Sequence, residues 1–253
     1  MSEALQNPQS AIRNPQSKMR YYPVYLDLQD HDVLVAGGGE IAEGKALQLV
    51  DAGARVFMVS PNLTPKLAEL VALGSIRYRA GRFDERDLSE VSLVISATDD
   101  QAVNEEVARL AAARKLLCNV VDQPALCNFI TPALIHRGRL QISVSTGGGS
   151  PALTQRVKRE IAAVIGDEYG ELLELAAEMR AEVKRRIAGF EERRKLLHAF
   201  IESDALDLVR AGRIEEARRI AERLVNGNGE TTDGFTTVDN NFIAKGQRDK
   251  GSK

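Results

Sequence analysis

The sequence contains no tryptophan and only two cysteines, Cys118 and Cys127. Two thiols cannot staple a chain of 253 residues, and their spacing fits no zinc site. Disulfide scaffolds and zinc folds are therefore excluded, and both cysteines are expected to be buried free thiols in a reducing compartment. Neither sign of charge is in excess. Lys plus Arg number 34 against 36 for Asp plus Glu, so global charge gives no reason to expect nucleic acid or anionic lipid as partner. No apolar run approaches the roughly 18 residues of a membrane span, and the N-terminus lacks the apolar core of a secretory signal. The expected location is the cytoplasm, with no membrane partner. Histidine is scarce too. His31, His136 and His198 are scattered without H-x-E or H-E-x-x-H spacing, so no permanent metal site is expected. A Walker A loop and a G-x-S-x-G nucleophile elbow are also missing.

What is present is ordinary globular composition, 43% hydrophobic and 28% charged, with unusual ends. Residues 1–18 hold Asn-Pro-Gln-Ser twice, which reads as a disordered leader and makes Met19 a candidate start. Residues 226–253 read as a frayed tail. Between them, β-rich runs alternate with helical patterns at Val33 to Ala36, Arg55 to Ser60, Ile76 to Arg79, Leu93 to Ala97, Leu117 to Val121 and Leu140 to Ser145. That alternation predicts an α/β fold, a Rossmann-type parallel sheet with crossover helices. Ile41, Lys45 and Leu49 form a weak helical stripe, Val103, Val107 and Leu110 a clear one, and Thr64-Pro65 is a helix start. From Pro151 strand signals cease, and helices are expected over about 151–165, 169–195, 195–201 and two short stretches ending near Leu224. The basic clusters Lys184 to Arg186 and Arg193 to Lys195 alternate with glutamates, as on a solvated, salt-bridged helix face.

The first strand leads into Gly37-Gly38-Gly39-Glu40-Ile41-Ala42, a G-x-G-x-x-A fingerprint at the strand-to-helix turn. Gly37 permits the turn, Gly39 admits a pyrophosphate, and the amides of Glu40 and Ile41 face the phosphates at a helix N-terminus. The second strand ends in Ser60-Pro61-Asn62 rather than in an acidic residue. Ser60 and Asn62 can hydrogen-bond a ribose, and the lack of an arginine there favours NAD over NADP. The fourth strand delivers Thr98 to the nicotinamide side, followed by Asp99 and Asp100, which read as helix caps. The fifth ends in Asn119-Val120-Val121-Asp122. Asp122 is the acid/base candidate, although a carboxylate there could equally cap a turn. A second glycine loop, Ser145-Thr146-Gly147-Gly148-Gly149-Ser150, precedes a helix bearing Arg156, Lys158 and Arg159. It is either an anion cradle or a connector.

Taken together, Val-Leu-Val-Ala-Gly-Gly-Gly at 33–39, Ala-Thr-Asp-Asp at 97–100, Asn-Val-Val-Asp at 119–122 and Ser-Thr-Gly-Gly-Gly-Ser-Pro at 145–151 resemble the siroheme synthase N-terminal family. The resemblance implies oxidation of precorrin-2 to sirohydrochlorin with NAD, some members also inserting ferrous iron as a substrate to give siroheme. It implies a homodimer with an NAD-binding domain at 19–131, a dimerisation segment at 132–161 and a helical domain at 162–225. By matching motifs it places Glu40 and Ile41 at the first cofactor contacts, Pro61 and Asn62 at the second and Asp122 at both reactions, beside Gly37, Gly39, Ser60 and Thr98 as already read from the strand ends. Thr146, Gly147, Ser150 and Arg156 fall at the tetrapyrrole. Thr146 stands where some members carry serine. No methyltransferase region follows the helical part, so a separate protein is expected to supply precorrin-2. A rival of another class is a regulatory domain that binds NAD without catalysis.

Overall fold

The computed structural model describes residues 20–227, so the predicted leader and most of the predicted tail lie outside the described residues. Five strands form one parallel sheet: β1 (Asp32–Ala36), β2 (Arg55–Ser60), β3 (Arg77–Ala80), β4 (Leu93–Ser96) and β5 (Leu117–Val120), in the order β3-β2-β1-β4-β5. Three helices cross between them: α1 (Glu40–Asp51), α2 (Pro65–Ala72) and α3 (Gln101–Ala113). Strand residues point alternately to opposite faces, and both faces of β1 are apolar. Val33 and Val35 pack with Ala42, Ala46 and Leu49 of α1 and Leu67 of α2, whereas Leu34 and Ala36 pack with Val107, Leu110 and Ala111 of α3. Helices on both faces make the sheet the middle of three layers.

The helix starts are set as the sequence predicts. Thr64 accepts from the Leu67 amide at 3.2 Å with Pro65 in the first turn, and Asp100 caps α3 through the amides of Ala102 and Val103. Each such cap contributes about 1 kcal/mol. Cys118 is buried in the α3 layer, and that burial pushes its thiol up to about 11, with Cys127 adding to the shift. Both cysteines are free.

The sixth β-rich run does not join the parallel sheet. It forms β7 (Leu140–Val144), paired with β6 (Ala133–Arg137), a strand the sequence reading did not foresee. Only Gly138 and Arg139 separate the two, and Gly138 has φ +56°, so the strands close on each other as a tight hairpin instead of crossing over to the parallel sheet. The pattern Leu-Gln-Ile-Ser-Val already pointed this way, because a strand covered on both faces reads as a continuous apolar run, not an alternating one.

The remaining helices are α4 (Pro151–Val164), α5 (Glu168–Arg186), α6 (Phe190–Ile201), α7 (Ala205–Arg210) and α8 (Ile214–Asn226). The single helix expected over 169–195 is two. Ile187 is extended at ψ 120°, Gly189 starts the next helix, and the chain is basic before the break and acidic after it. Lys184, Arg185 and Arg186 suit a helix C-terminus, and Glu191 and Glu192 suit an N-terminus. Within the helices, Arg185 and Arg186 pair with Glu182, and Arg194 pairs with Glu191, as on the solvated face expected. Such exposed pairs add little stability. The core of these helices is apolar, with Leu172, Met179, Val183, Phe200, Ala217 and Val225 buried together.

Contacts divide the described residues into two units: 20–133 together with 144–156, and 134–143 together with 157–227. In the second unit, Gly170 lies so close to the hairpin turn that a Cβ there would meet the Arg137 carbonyl oxygen at 2.6 Å. Arg137 also donates to the Ile165 carbonyl at 3.0 Å, closing the C-terminus of α4. No helix of the described residues is long and apolar enough to cross a membrane.

Candidate functional site

The strand order reverses between β1 and β4, and in open parallel sheets the crevice outside the strands' carboxyl ends at such a point is where ligands bind. The loops that follow β1, β2, β4 and β5 bring Gly37 to Ile41, Ser60 to Asn62, Thr98 and Asp122 to this one edge.

The turn after β1 is built by three glycines with different duties. Gly37 has φ +123°, and a Cβ there would lie 2.2 Å from the Ala97 carbonyl oxygen, so the β1 and β4 turns meet over a bare backbone. Gly38 is as tightly held, its virtual Cβ 2.0 Å from the Asn62 carbonyl oxygen. The sequence fingerprint treats that middle position as variable, so its close packing was not legible there. Gly39 differs, since nothing lies within 4 Å of its virtual Cβ.

Gly39 is also the N-cap of α1 and offers no side-chain cap, unlike Thr64 for α2 and Asp100 for α3. The first helical bond runs from the Glu43 amide to the Gly39 carbonyl at 2.9 Å. The amides of Glu40, Ile41 and Ala42 precede it and point out of an uncapped, positively polarised helix end. Ala42 is fully buried and keeps α1 against the sheet, while Ile41 is 55% exposed beside the open turn. Open space above a glycine and unpaired first-turn amides suit a pyrophosphate.

At the second strand Ser60 is buried, and its hydroxyl donates to the Asn62 carbonyl at 2.7 Å. Tyr78 donates to the Ser60 carbonyl at 2.7 Å. The Ser60 hydroxyl proton therefore shapes the turn and is not free for a ribose, a correction to the expected donor role. Pro61 and Asn62 are exposed on the edge.

Thr98 is half-buried and held by Asn104, a residue the sequence reading passed over. Asn104 is 4% exposed, accepts from the hydroxyls of Ser96 at 2.7 Å and Thr98 at 2.9 Å, and donates to the Thr98 carbonyl at 3.0 Å. An asparagine on the same helix face as Val107, Ala108 and Ala111 was the available signal, because a polar side chain on an apolar face needs partners. Asp99 is exposed, and Asp100 serves as the cap already described.

Asp122 stands two residues past β5 with φ +59°, a left-handed conformation that aspartate tolerates. Its carboxylate is exposed. On the α1 side, Lys45 donates to the Thr131 hydroxyl at 2.8 Å. Burial pushes the Lys45 ammonium below the usual lysine range, and the negative charge of Asp122 acts in the opposite direction. The sequence showed Lys45 only as a member of a weak helical stripe.

The second glycine loop is arranged otherwise. The Gly147 amide donates to the Ser145 hydroxyl at 3.0 Å, Gly149 to the Thr146 carbonyl at 3.0 Å and Ser150 to the Thr146 hydroxyl at 3.1 Å. Thr146 and Thr154 share a hydrogen bond of 2.9 Å, and the Ser150 hydroxyl accepts from Leu153 at 3.2 Å. The amides of Gly147, Gly149 and Ser150 are thus already bonded inside the loop, which is not the open cradle one of the two sequence readings expected. Arg156 is exposed on the helix beyond. Among the described residues there is no group of three or more His, Cys, Asp or Glu side chains able to hold a metal ion. A cavity in the helical unit, lined by Glu178, Glu182 and Arg218 among others, contains none of the residues expected at the site.

Comparison with known proteins finds three matched regions in this chain. Residues 24–133 match a putative NAD(P)-binding family, 137–163 the sirohaem biosynthesis protein central region and 168–225 the sirohaem synthase dimerisation region. A siroheme synthase of Methylobacillus flagellatus is 41% identical over 212 residues, 84% of this chain and 45% of that protein. One of Thioalkalivibrio sulfidiphilus is 40% identical over 215 residues, 85% of this chain and 44% of that protein. The chain therefore spans a little under half the length of these relatives. Among solved structures, SirC, a precorrin-2 dehydrogenase, superposes with a TM-score of 0.70 at 29% identity, covering 80% of this chain and all of that one. Residues 24–133, which hold the parallel sheet, thus match an NAD(P)-binding domain, and residues 168–225 match a dimerisation region.

Proposed function

The chain belongs to the siroheme synthase N-terminal family, and from that premise we propose that it oxidises precorrin-2 to sirohydrochlorin with NAD. The observation that carries this reading is the meeting, at one sheet edge, of an uncapped glycine turn and the Asp122 carboxylate. Gly37 and Gly39 with the amides of Glu40 and Ile41 would hold the pyrophosphate, Pro61 and Asn62 the adenosine side, and Thr98 the nicotinamide side. Ser60 supports them through the Asn62 carbonyl. NAD supplies the hydride acceptor when bound. Asp122 takes the proton that the macrocycle loses as its conjugation extends, or holds a pyrrole nitrogen during that loss.

The preference for NAD over NADP is supported by residues 60–64, which include no Lys or Arg to meet a 2′-phosphate. Arg156 is proposed to hold a peripheral carboxylate of the macrocycle, with Thr146, Gly147 and Ser150 setting the shape of the loop before it. Its replacement by alanine lowers tetrapyrrole affinity more than NAD affinity. The division into a dinucleotide domain at 19–131, a dimerisation segment at 132–161 and a helical domain at 162–225 is part of the same reading, with dimer contacts extended into the helical domain on the strength of the match over 168–225, as is a cytoplasmic location.

A homodimer completes the proposal. Helix α4 has no fully buried residue, yet Leu153, Val157, Ile161 and Val164 recur along it at helical spacing, with Leu153 50% and Val164 69% exposed. Such a stripe suits a second copy, and Ile161→Glu is expected to give monomers in sedimentation experiments.

The deciding experiment adds precorrin-2 and NAD to the purified chain and follows NADH absorbance. Asp122→Asn should lower the rate about 100-fold or more. Binding of NAD without NADH formation would favour the regulatory reading and overturn this one. Ferrous iron insertion is proposed as a second reaction at the same carboxylate, which would accept pyrrole protons as the ion enters. Incubating sirohydrochlorin with ferrous ion and watching for siroheme tests it.

A further inference from the structure

Three of the four loops at this edge are acidic. Residues 37–40, 97–100 and 121–132 carry Glu40, Asp99, Asp100 and Asp122 and no Lys or Arg. Under the proposed function, this edge receives a dinucleotide pyrophosphate and a macrocycle with several carboxylates. Like charges brought together in a partly desolvated cleft repel more strongly than they do in open water. Something must offset them.

Lys45 lies one turn into α1, beyond the glycine turn. Ala42 and Ala46 on either side of it are fully buried in the cluster that Val121 and Phe129 also pack against, so this face of α1 lies on the segment that carries Asp122. The Lys45 ammonium is fixed by its 2.8 Å bond to Thr131, at the far end of the same segment. One of its three donors is used there. Among the described residues Lys45 forms no ion pair with Asp122; its bond to Thr131 ties it to the segment that begins at Asp122, whose negative charge opposes the downward push of burial on the ammonium.

We propose that Lys45 is the positioning residue of this edge: tethered by Thr131, it balances the acidic loops and keeps the Asp122 carboxylate directed into the crevice while two anionic molecules dock. This rests on the reading under Proposed function, and it assigns to Lys45 a role through Asp122, not a contact with dinucleotide or macrocycle. Arginine can keep the charge; methionine keeps the length of the stem and removes it.

The test uses the full chain with Lys45→Met, Lys45→Arg, Asp122→Asn and the double variant Lys45→Met with Asp122→Asn. In the first arm, the Lys45 side chain is titrated by NMR on ¹³Cε-lysine-labelled protein, its resonance identified by loss in Lys45→Arg. Asp122→Asn should move its midpoint down by about half a pH unit, because a neighbouring carboxylate favours the charged ammonium. An unmoved midpoint overturns the coupling, whatever the chain catalyses.

In the second arm, precorrin-2 oxidation is followed with NAD. Lys45→Met should lower kcat about tenfold, leave the KM for NAD within about twofold, and be largely rescued by Lys45→Arg. In the double variant, the methionine should add less than about twofold to the loss caused by Asp122→Asn. Full additivity, or a loss confined to the KM for NAD, overturns the positioning role; the latter would make Lys45 a phosphate ligand. A moved midpoint together with no NADH from the wild-type chain would sink the proposed reaction and leave the charge pair standing, so the two failures are told apart.

Discussion

The two glycine loops share a composition and a place in sequence, each lying between a strand and a helix, yet they treat their hydrogen-bond donors in opposite ways. At Gly37 to Gly39 the first amides of α1 have no cap and the space over Gly39 is empty. At Gly147 to Gly149 the amides of Gly147, Gly149 and Ser150 already bond inside the loop, and Thr146 is braced against Thr154. Glycine content says only that a backbone can bend or approach closely. Whether a loop serves a ligand depends on which donors it leaves unpaired.

The sharpest way to break the contrast is at Gly38. A methyl group there would sit 2.0 Å from the Asn62 carbonyl, so Gly38→Ala must push two turns apart. We expect a loss of about 2–4 kcal/mol in urea unfolding and no measurable NADH binding by fluorescence titration. Gly39→Asp separates stability from binding. It supplies the cap that α1 lacks, so unfolding stability should rise by a few tenths of a kcal/mol, while its carboxylate lowers dinucleotide affinity by about 100-fold. In the second loop the pattern should invert. Thr146→Val removes the brace and is expected to cost about 1 kcal/mol of stability with dinucleotide affinity unchanged. Thr146→Ser keeps the hydroxyl, and its unfolding midpoint should stay within error of the parent. Equal losses of dinucleotide affinity in Gly39→Asp and Thr146→Val would erase the distinction between the loops.

The same contrast marks how far the sequence could be read. Alternating apolar runs and helical stripes predicted β1 to β5 and α1 to α3, since burial on both faces leaves a direct imprint on residue order. The caps at Thr64 and Asp100 were legible because they act over three residues. The hairpin of β6 and β7 was misread as a further parallel strand, although the alternation in Leu140 to Val144 and Gly138 in the turn were both available. The break at Ile187 to Gly189 was hidden by an uninterrupted run of charged helix formers on either side. At the site, motif spacing named Asp122, Gly37 and Gly39. It could not show that Ser60 donates to Asn62, that Asn104 holds Thr98, or that Lys45 reaches Thr131 across 86 positions.

Residue order alone settled the alternation of strands and helices, the glycine turn at the end of β1 and the arrival of a carboxylate at the end of β5, because each follows from local propensity, periodicity or a short motif. Tertiary packing decided which strand neighbours which, which glycine amides stay open, and which lysine reaches Thr131. Those depend on distances between residues far apart in the chain, and such distances exist only once the sheet has brought its loops to one edge.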